Sequence, residues 1–179
     1  EFRDYNKNTT IYGGTCTHSS VKNFLAAGYK ANQLSNGTYI VVNENYKPFV
    51  SIMIPAHNEE SVIANTVENI LAIDYPNFEV IVIDDRSSDN TAKVVNELAS
   101  KYENVKALIR DNSAFPGKSA VLNDAMALTK GEAILVFDAD ATVEPDFLNK
   151  MIPYLEPADV GAVQARKIIR NKDYNFLTR

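Results

Sequence analysis

Asp138 and Asp140 close the stretch Ala133 to Asp140, AILVFDAD, an apolar run of strand length that stops at two carboxylates. Such a run reads as an interior strand of a parallel sheet, buried on both faces, with Asp138 at its carboxyl end. That end is where open α/β sheets bind ligands. Period-two alternation sends Asp138 and Asp140 to the same side if the extended conformation lasts that far. Two unit charges about 5 Å apart repel by about 3 kcal/mol at an effective dielectric of 20, so a positive partner is expected. A hard divalent cation takes such oxygens, typically one or two carboxylates with phosphate and water completing the shell. The expectation is a strand end that holds a metal, and a metal that holds a diphosphate. The competing structural reading is that Asp140 or Thr142 caps a helix opening at Glu144 and Pro145.

Other candidates fall at the ends of other strands. Pro55-Ala56-His57-Asn58-Glu59-Glu60 follows the first, and there is neither G-x-G-x-x-G nor a P-loop. Glu59 and Glu60 in a first helical turn would repel phosphate, so a dinucleotide site is excluded. They either complement the helix dipole or face a ribose. Asp84-Asp85-Arg86-Ser87-Ser88-Asp89 follows the second strand. Ser87, Ser88 or Asp89 reads as a helix cap. Of Asp84 and Asp85, one must face the cleft and the other back, and a carboxylate there can accept an N–H from a base edge, which suits uracil. Lys118 opens a helix after Pro116-Gly117, where a cation opposes the macrodipole by a few tenths to about 1 kcal/mol. That small cost favours a task such as meeting phosphate or ribose; the plain alternative is a surface lysine.

The elements that must position these residues recur regularly from Pro48 onward. Strands are predicted at Val50 to Pro55, Phe78 to Asp84, Val105 to Ile109, Ala133 to Asp138 and Val160 to Arg166. Helices are predicted at Glu60 to Ala72, Thr91 to Tyr102, Lys118 to Leu128 with Gly131 as its stop, and from Pro145 through Met151 with Pro153 kinking or ending it. A strand about every 27 residues with a helix between means right-handed βαβ units. The fold class is therefore α/β, three layers, with a mostly parallel sheet. Residues 1–47 differ in texture, being rich in Asn, Thr, Tyr and Gly. Ser19 or Ser20 caps a short helix through Val21, Phe24 and Leu25, and Asn36-Gly37 marks a hairpin whose better strand is Thr38 to Val42. The organisation expected is an appendage over 1–47 and a main domain over 48–179.

Bulk properties narrow the classes. A chain of 179 residues with 45% apolar and 23% charged residues suits a folded domain with a sizeable core. The net charge of -5 and the lack of any basic run argue against nucleic acid. Cys16 is the sole cysteine and reads, with His18, as an ordinary loop residue; with His57 the only other histidine, a zinc site is excluded. No apolar stretch approaches the roughly 20 residues of a membrane span, so the piece itself is expected to be soluble. It opens at Glu1-Phe2 and stops at Arg179, which is expected of a fragment of a longer protein.

Taken together, P-A-H-N-E-E, I-D-D-R-S-S-D-N-T, G-K-S-A-V-L-N-D-A and F-D-A-D-A-T-V-E-P-D-F-L resemble, in order and spacing, the inverting glycosyltransferases of family 2, which have the GT-A fold. V-G-A-V-Q-A-R and I-R-N-K-D-Y-N look most like the membrane-embedded processive members that make cellulose, chitin, hyaluronan or poly-N-acetylglucosamine. The resemblance implies that Asp138 and Asp140 bind Mg²⁺ or Mn²⁺ and through it the diphosphate of a UDP-sugar. It implies that Asp85 meets the uracil ring, that Lys118 lies beside the nucleotide, and that Ala56 and Glu59 line the uridine. His57 departs from the commoner aromatic at its position. The implied chemistry is displacement at the anomeric carbon toward a saccharide acceptor, with the full protein at the cytoplasmic face of a membrane. The family's catalytic base and acceptor motif lie beyond the region corresponding to Arg179, so the isolated piece is expected to bind donor and transfer no sugar. A haloacid-dehalogenase-type phosphatase, with Asp138 as nucleophile and Asp140 as general acid, is the alternative from another class. It needs a further acidic pair downstream, which is missing. A non-catalytic nucleotide-binding or scaffolding module is the third.

Overall fold

The computed structural model describes residues 14–158 and 160–165. Along them run β1 (Gly14–Cys16), β2 (Tyr29–Gln33), β3 (Tyr39–Asn43), β4 (Val50–Ala56), α1 (Ile63–Leu71), β5 (Phe78–Asp85), α2 (Thr91–Lys101), β6 (Val105–Arg110), α3 (Lys118–Met126), β7 (Ala133–Val136) and α4 (Phe147–Met151). Short 3-10 turns stand at Ser19–Phe24 and Ile152–Leu155. The second contains Pro153, which lacks the N–H needed to prolong α4.

Unbroken aliphatic runs make β4 and β5 the buried centre of a four-stranded parallel sheet of order β6-β5-β4-β7. Alternate residues face opposite layers. Val50, Ile52, Ile54, Val80 and Val82 pack against Ile63, Val67 and Ile70 of α1, Val95 and Leu98 of α2 and Leu148 of α4. Met53, Ile81 and Ile83 pack on the other face against Val121 and Ala125 of α3. The result is the expected three-layer α/β arrangement, with every parallel strand ending on one edge.

Two expectations for the sheet differ from what the described residues show. Among them β7 pairs with β4 alone and so stands at the edge of the sheet they form, with Ile134 and Val136 39% and 38% exposed. Their register opposite Ser51 and Met53 turns them toward the α3 side, where α3 packs over β4 and β5. Residues 160–165 form no strand, since among the described residues no ladder pairs with them; Arg166 and the I-R-N-K-D-Y-N segment lie outside the described residues.

At the amino edge of the sheet a buried polar cluster fixes the return from α3 into β7. Glu79 accepts from the Ser51 hydroxyl (2.7 Å) and the Lys130 N–H (2.9 Å) and pairs with Lys106 Nζ (2.7 Å). Gly131 does not stop α3, which ends at Met126. A side chain there would meet the Ser51 backbone nitrogen at 2.4 Å, so close backbone approach is what requires glycine. Burial raises the Glu79 carboxyl, but Lys106, the Ser51 hydroxyl and the Lys130 N–H outweigh it and hold the acid below its ordinary value of 4.5. A depressed carboxylate contributes stability above its unfolded pKa and loses it as pH falls through the folded one. Glu79→Gln is therefore expected to be less stable than the parent at pH 6 by about 1–3 kcal/mol. The gap should close below pH 4.5. Urea midpoints measured from pH 6 to pH 3 check this, and a gap that stays constant refutes it.

Ahead of this sheet, β2 and β3 form the hairpin expected at Asn36-Gly37, with Gly37 at φ 83° and the Thr38 N–H bonded to Asn36 Oδ1 (3.0 Å). β1 adds to β3 as a strand that the pattern of residues 1–47 did not announce, and it includes Cys16. The helix cap is His18 rather than Ser19 or Ser20, because its ring nitrogen accepts from the Ser20 N–H (3.3 Å). Glu156, after α4, accepts from Tyr29 Oη (3.4 Å) and Asn43 Nδ2 (3.3 Å) of the hairpin, and Lys47 Nζ, which follows the hairpin, donates to Asn149 Oδ1 of α4 (2.9 Å).

Candidate functional site

The carboxyl edge of the parallel sheet gathers the chemistry-bearing residues. β4 delivers Ala56, His57, Asn58 and Glu59, β5 delivers Asp84 and Asp85, and β7 leads into Phe137 and Asp138. Adjacent order β5-β4-β7 makes these ends neighbours, and Ala56 is in register with Asp84.

Two loops at this edge are stitched together by backbone N–H donors. Asn58 N–H donates to Ser87 Oγ (2.9 Å), Ser88 N–H to Asn58 Oδ1 (2.8 Å) and Glu59 N–H to Thr91 Oγ1 (2.9 Å). Asn58 and Arg86 take left-handed backbones, φ 57° and 58°, as each strand turns sharply out of the sheet. Glu60 is not in a first helical turn: α1 starts at Ile63, and the Glu60 carboxylate reaches across to accept the Asn90 N–H (2.7 Å) at the start of α2. A carboxylate finds better employment on an orphan N–H of the neighbouring helix than on its own dipole. The N-cap position of α2 is Asn90, whose side chain makes no cap bond, while Asp89, one of the expected caps, accepts the Thr91 N–H (2.9 Å) from one position earlier. His57 Nδ1 lies 2.7 Å from the Asp85 carbonyl oxygen, which can only accept, so Nδ1 carries the proton.

Asp84 and Asp85 divide as expected of consecutive strand residues. Asp84 is buried, with Oδ2 accepting from the Ser87 N–H (3.4 Å). Asp85 lies on the α3 side, where Oδ1 receives Arg86 Nε (2.8 Å) and Arg110 Nη1 (2.6 Å) while Oδ2 receives Arg86 Nη2 at 3.3 Å. Arg86 first, then Arg110, holds this carboxyl below the usual carboxylate range against the opposing effect of burial. Arg110 is the residue that sequence reasoning missed. It is 6% exposed and spends its guanidinium on Asp85, on Asp124 Oδ2 of α3 (2.9 Å) and on the Phe115 carbonyl (2.7 Å).

The strand conformation ends at Val136, so alternation does not carry through Asp138 and Asp140. Phe137 N–H still donates to the Met53 carbonyl (3.0 Å), and then Ala141 N–H closes a turn onto the Asp138 carbonyl (3.0 Å). Ala139, between the two acids, is buried, and its carbonyl accepts from Thr66 Oγ1 of α1 (2.7 Å). Asn69, one helical turn later, brackets Val143 by accepting its N–H (2.8 Å) and donating to its carbonyl (3.3 Å). Burying the middle residue leaves Asp138 half-exposed and Asp140 exposed at the mouth of the sheet. Neither Asp140 nor Thr142 caps α4, which starts at Phe147 with its N–H on the Glu144 carbonyl. Lys118, first residue of α3, places Nζ 2.6 Å from Asp138 Oδ1. The charge expected for phosphate thus stands beside the acid expected for a cation.

This donor set fits a hard cation bound together with a diphosphate. Asp138 and Asp140 offer two carboxylates from one turn, and among the described residues no third acidic, histidine or cysteine side chain joins them in a metal-holding group. A cation held by one or two carboxylates takes its remaining oxygens from phosphate and water.

The profile of Glycosyl transferase family 2 matches residues 51–179. The beta-monoglucosyldiacylglycerol synthase of Trichormus variabilis is 48% identical over 134 residues, which cover 74% of this chain and 29% of that protein. The chain therefore spans less than a third of the length of that relative. Among solved structures, the mannosyltransferase PcManGT of Pyrobaculum calidifontis, in complex with GDP-Man and Mn²⁺, superposes with a TM-score of 0.65 at 31% identity, over 71% of this chain and 38% of that one. Glucosyl-3-phosphoglycerate synthase of Mycobacterium tuberculosis, in complex with Mn²⁺, UDP and glucosyl-3-phosphoglycerate, gives 0.50 at 26% identity, over 63% of this chain and 42% of that one.

Proposed function

The chain belongs to glycosyl transferase family 2 and has the GT-A nucleotide-sugar transferase fold, and from that premise we propose that its carboxyl edge binds a UDP-sugar through a divalent cation for inverting hexosyl transfer. The observation that carries this reading is the Lys118–Asp138 pair at 2.6 Å, an ammonium and a carboxylate together at the mouth of a parallel sheet, with β4 between the β7 end and the end of β5. In this assignment Asp138 and Asp140 hold Mg²⁺ or Mn²⁺, Lys118 turns to a phosphate oxygen, and Asp85 accepts the imino N–H of uracil on its less engaged Oδ2. Ala56 and Glu59 line the uridine. When bound, the cation offsets the charge that develops on the departing diphosphate. The chain's own residues orient the donor so that its anomeric carbon faces the acceptor, and displacement there inverts the configuration. A glucose- or N-acetylglucosamine-type sugar is in keeping with the glucosyl transfer named for the 48%-identical relative. The acceptor is a growing polysaccharide or another hydroxyl compound, and the whole protein acts at the cytoplasmic face of a membrane; the diacylglycerol in that relative's name supports the membrane part of this reading. Among the described residues no helix is long and apolar enough to cross one. Residues 1–47 serve in this reading as an appendage to the donor-binding domain at 48–179.

The phosphatase alternative is left without support by the family match. Calorimetric titration with UDP, GDP and ADP, each with and without Mn²⁺, tests the proposal. UDP is expected to bind best and to need the metal. Equal binding of all three nucleotides removes the role given to Asp85, and failure of every nucleotide to bind or to raise the melting temperature favours a scaffolding module.

A further inference from the structure

Phe115 is the most exposed large apolar side chain among the described residues, at 84%, and the fold makes no use of its ring. It stands in the loop 111–117, between β6 and α3. That loop joins the two halves of the site. At one end Arg110 donates to both the Asp85 carboxylate (2.6 Å) and the Phe115 carbonyl (2.7 Å), so a single buried guanidinium holds the base-facing acid and the backbone of Phe115 side by side. At the other end Gly117, in a left-handed backbone at φ 104°, turns the chain into Lys118 and its contact with Asp138. The loop is further shaped by Asp111, which accepts the Ser113 N–H (2.8 Å).

We propose that Phe115 is a donor-binding residue whose ring lies against the face of the uracil base and covers it. The inference rests on the reading of Asp85 as the acid that meets the base edge. An aromatic ring whose backbone is tethered beside that acid has the base face as its nearest flat, apolar partner. Stacking needs no hydrogen-bond pattern, so Phe115 supplies affinity while Asp85 supplies discrimination.

The chain contains no tryptophan, so Phe115→Trp carries a single indole reporter. With Mn²⁺ present, UDP is expected to quench its emission saturably, while inorganic pyrophosphate, which has no base, leaves it unchanged. Phe115→Ala is expected to weaken UDP binding by about tenfold in calorimetry. Phe115→Tyr should stay within about twofold of the parent, since it keeps the π-face. Pyrophosphate binding should be the same in all variants. Because the side chain is exposed, none of these substitutions threatens folding. Parent-like UDP affinity in Phe115→Ala, or pyrophosphate quenching equal to that of UDP, overturns the proposal while the UDP-sugar reading stands. A parent protein that binds no UDP overturns both. Loss of binding to phosphatidylglycerol vesicles in Phe115→Ala, with UDP affinity intact, assigns the ring to a membrane surface instead and likewise overturns it.

Discussion

Replacing Arg110 with methionine is expected to lower the free energy of unfolding by about 3 kcal/mol and to remove most of the affinity for UDP. The guanidinium is buried and serves three acceptors on three segments: Asp85 at the end of β5, Asp124 on α3 and the Phe115 carbonyl. Removing one member of a buried ion pair costs about 3–5 kcal/mol, because the abandoned charge stays behind without its partner. Here the cost falls toward the lower end, since Asp85 keeps Arg86 Nε at 2.8 Å and Asp124 is half-exposed. Lysine is a poor substitute, because a single ammonium cannot span the fork that meets three acceptors. The double variant Arg110→Met, Asp85→Asn should lose about 1 kcal/mol less than the two single losses added together, as contacting residues do. Urea unfolding of the four proteins measures this. Additive losses, or an Arg110→Met loss below about 1 kcal/mol, mean that the three-way contact does not hold the edge together.

That residue also shows where sequence reading stops. The succession of strands and helices along the chain, the hairpin at Asn36-Gly37 and the acids at the strand ends were legible because each depends on local pattern: an unbroken aliphatic run, a turn dipeptide, a charge that ends the run. Arg110 is a charge that ends a run too, at the close of β6, yet its meaning depends on sheet order. Only when β6 pairs with β5 in the register Asp85↔Arg110 do the two charges become neighbours. Glu60 misled for the same reason, since its partner Asn90 lies on another loop. Thr66 and Asn69 left a fainter signal, two polar residues within the apolar stripe of Ile63, Val67 and Ile70. Their partners, Ala139 and Val143, are backbone groups that no side-chain pattern betrays. The aspartates at 138 and 140 were found by type and misplaced by conformation. The turn after Val136, which the Thr66 hydroxyl helps hold, governs where their carboxylates stand, and it is tertiary in origin.

Asp140→Asn is expected to weaken UDP binding in the presence of Mn²⁺ by tenfold or more, about 1.4 kcal/mol, and to leave the protein's own stability within about 0.5 kcal/mol of the parent. The two halves of this expectation separate a ligand from a structural residue. Asp140 is exposed, and the turn that carries it is fixed through backbone atoms of Ala139 and Val143. Loss of the charge therefore removes little from the fold. Asp138→Asn should weaken UDP·Mn²⁺ by a similar factor, because it removes the other carboxylate assigned to the cation. The present pairing of Lys118 with Asp138 is no obstacle to a cation. Both side chains are substantially exposed, at 55% and 38%, so the pair contributes about 0–1 kcal/mol and is readily exchanged for stronger partners. A divalent ion on Asp138 and a phosphate oxygen on Lys118 restore both charges at once. Lys118→Met should accordingly weaken UDP·Mn²⁺ without changing the Mn²⁺ concentration at which binding appears, whereas the two aspartate variants should move that concentration upward. If chelation of the metal leaves parent affinity unchanged, or if Asp140→Asn binds UDP·Mn²⁺ as the parent does, the acidic turn is not the place where cation and diphosphate meet.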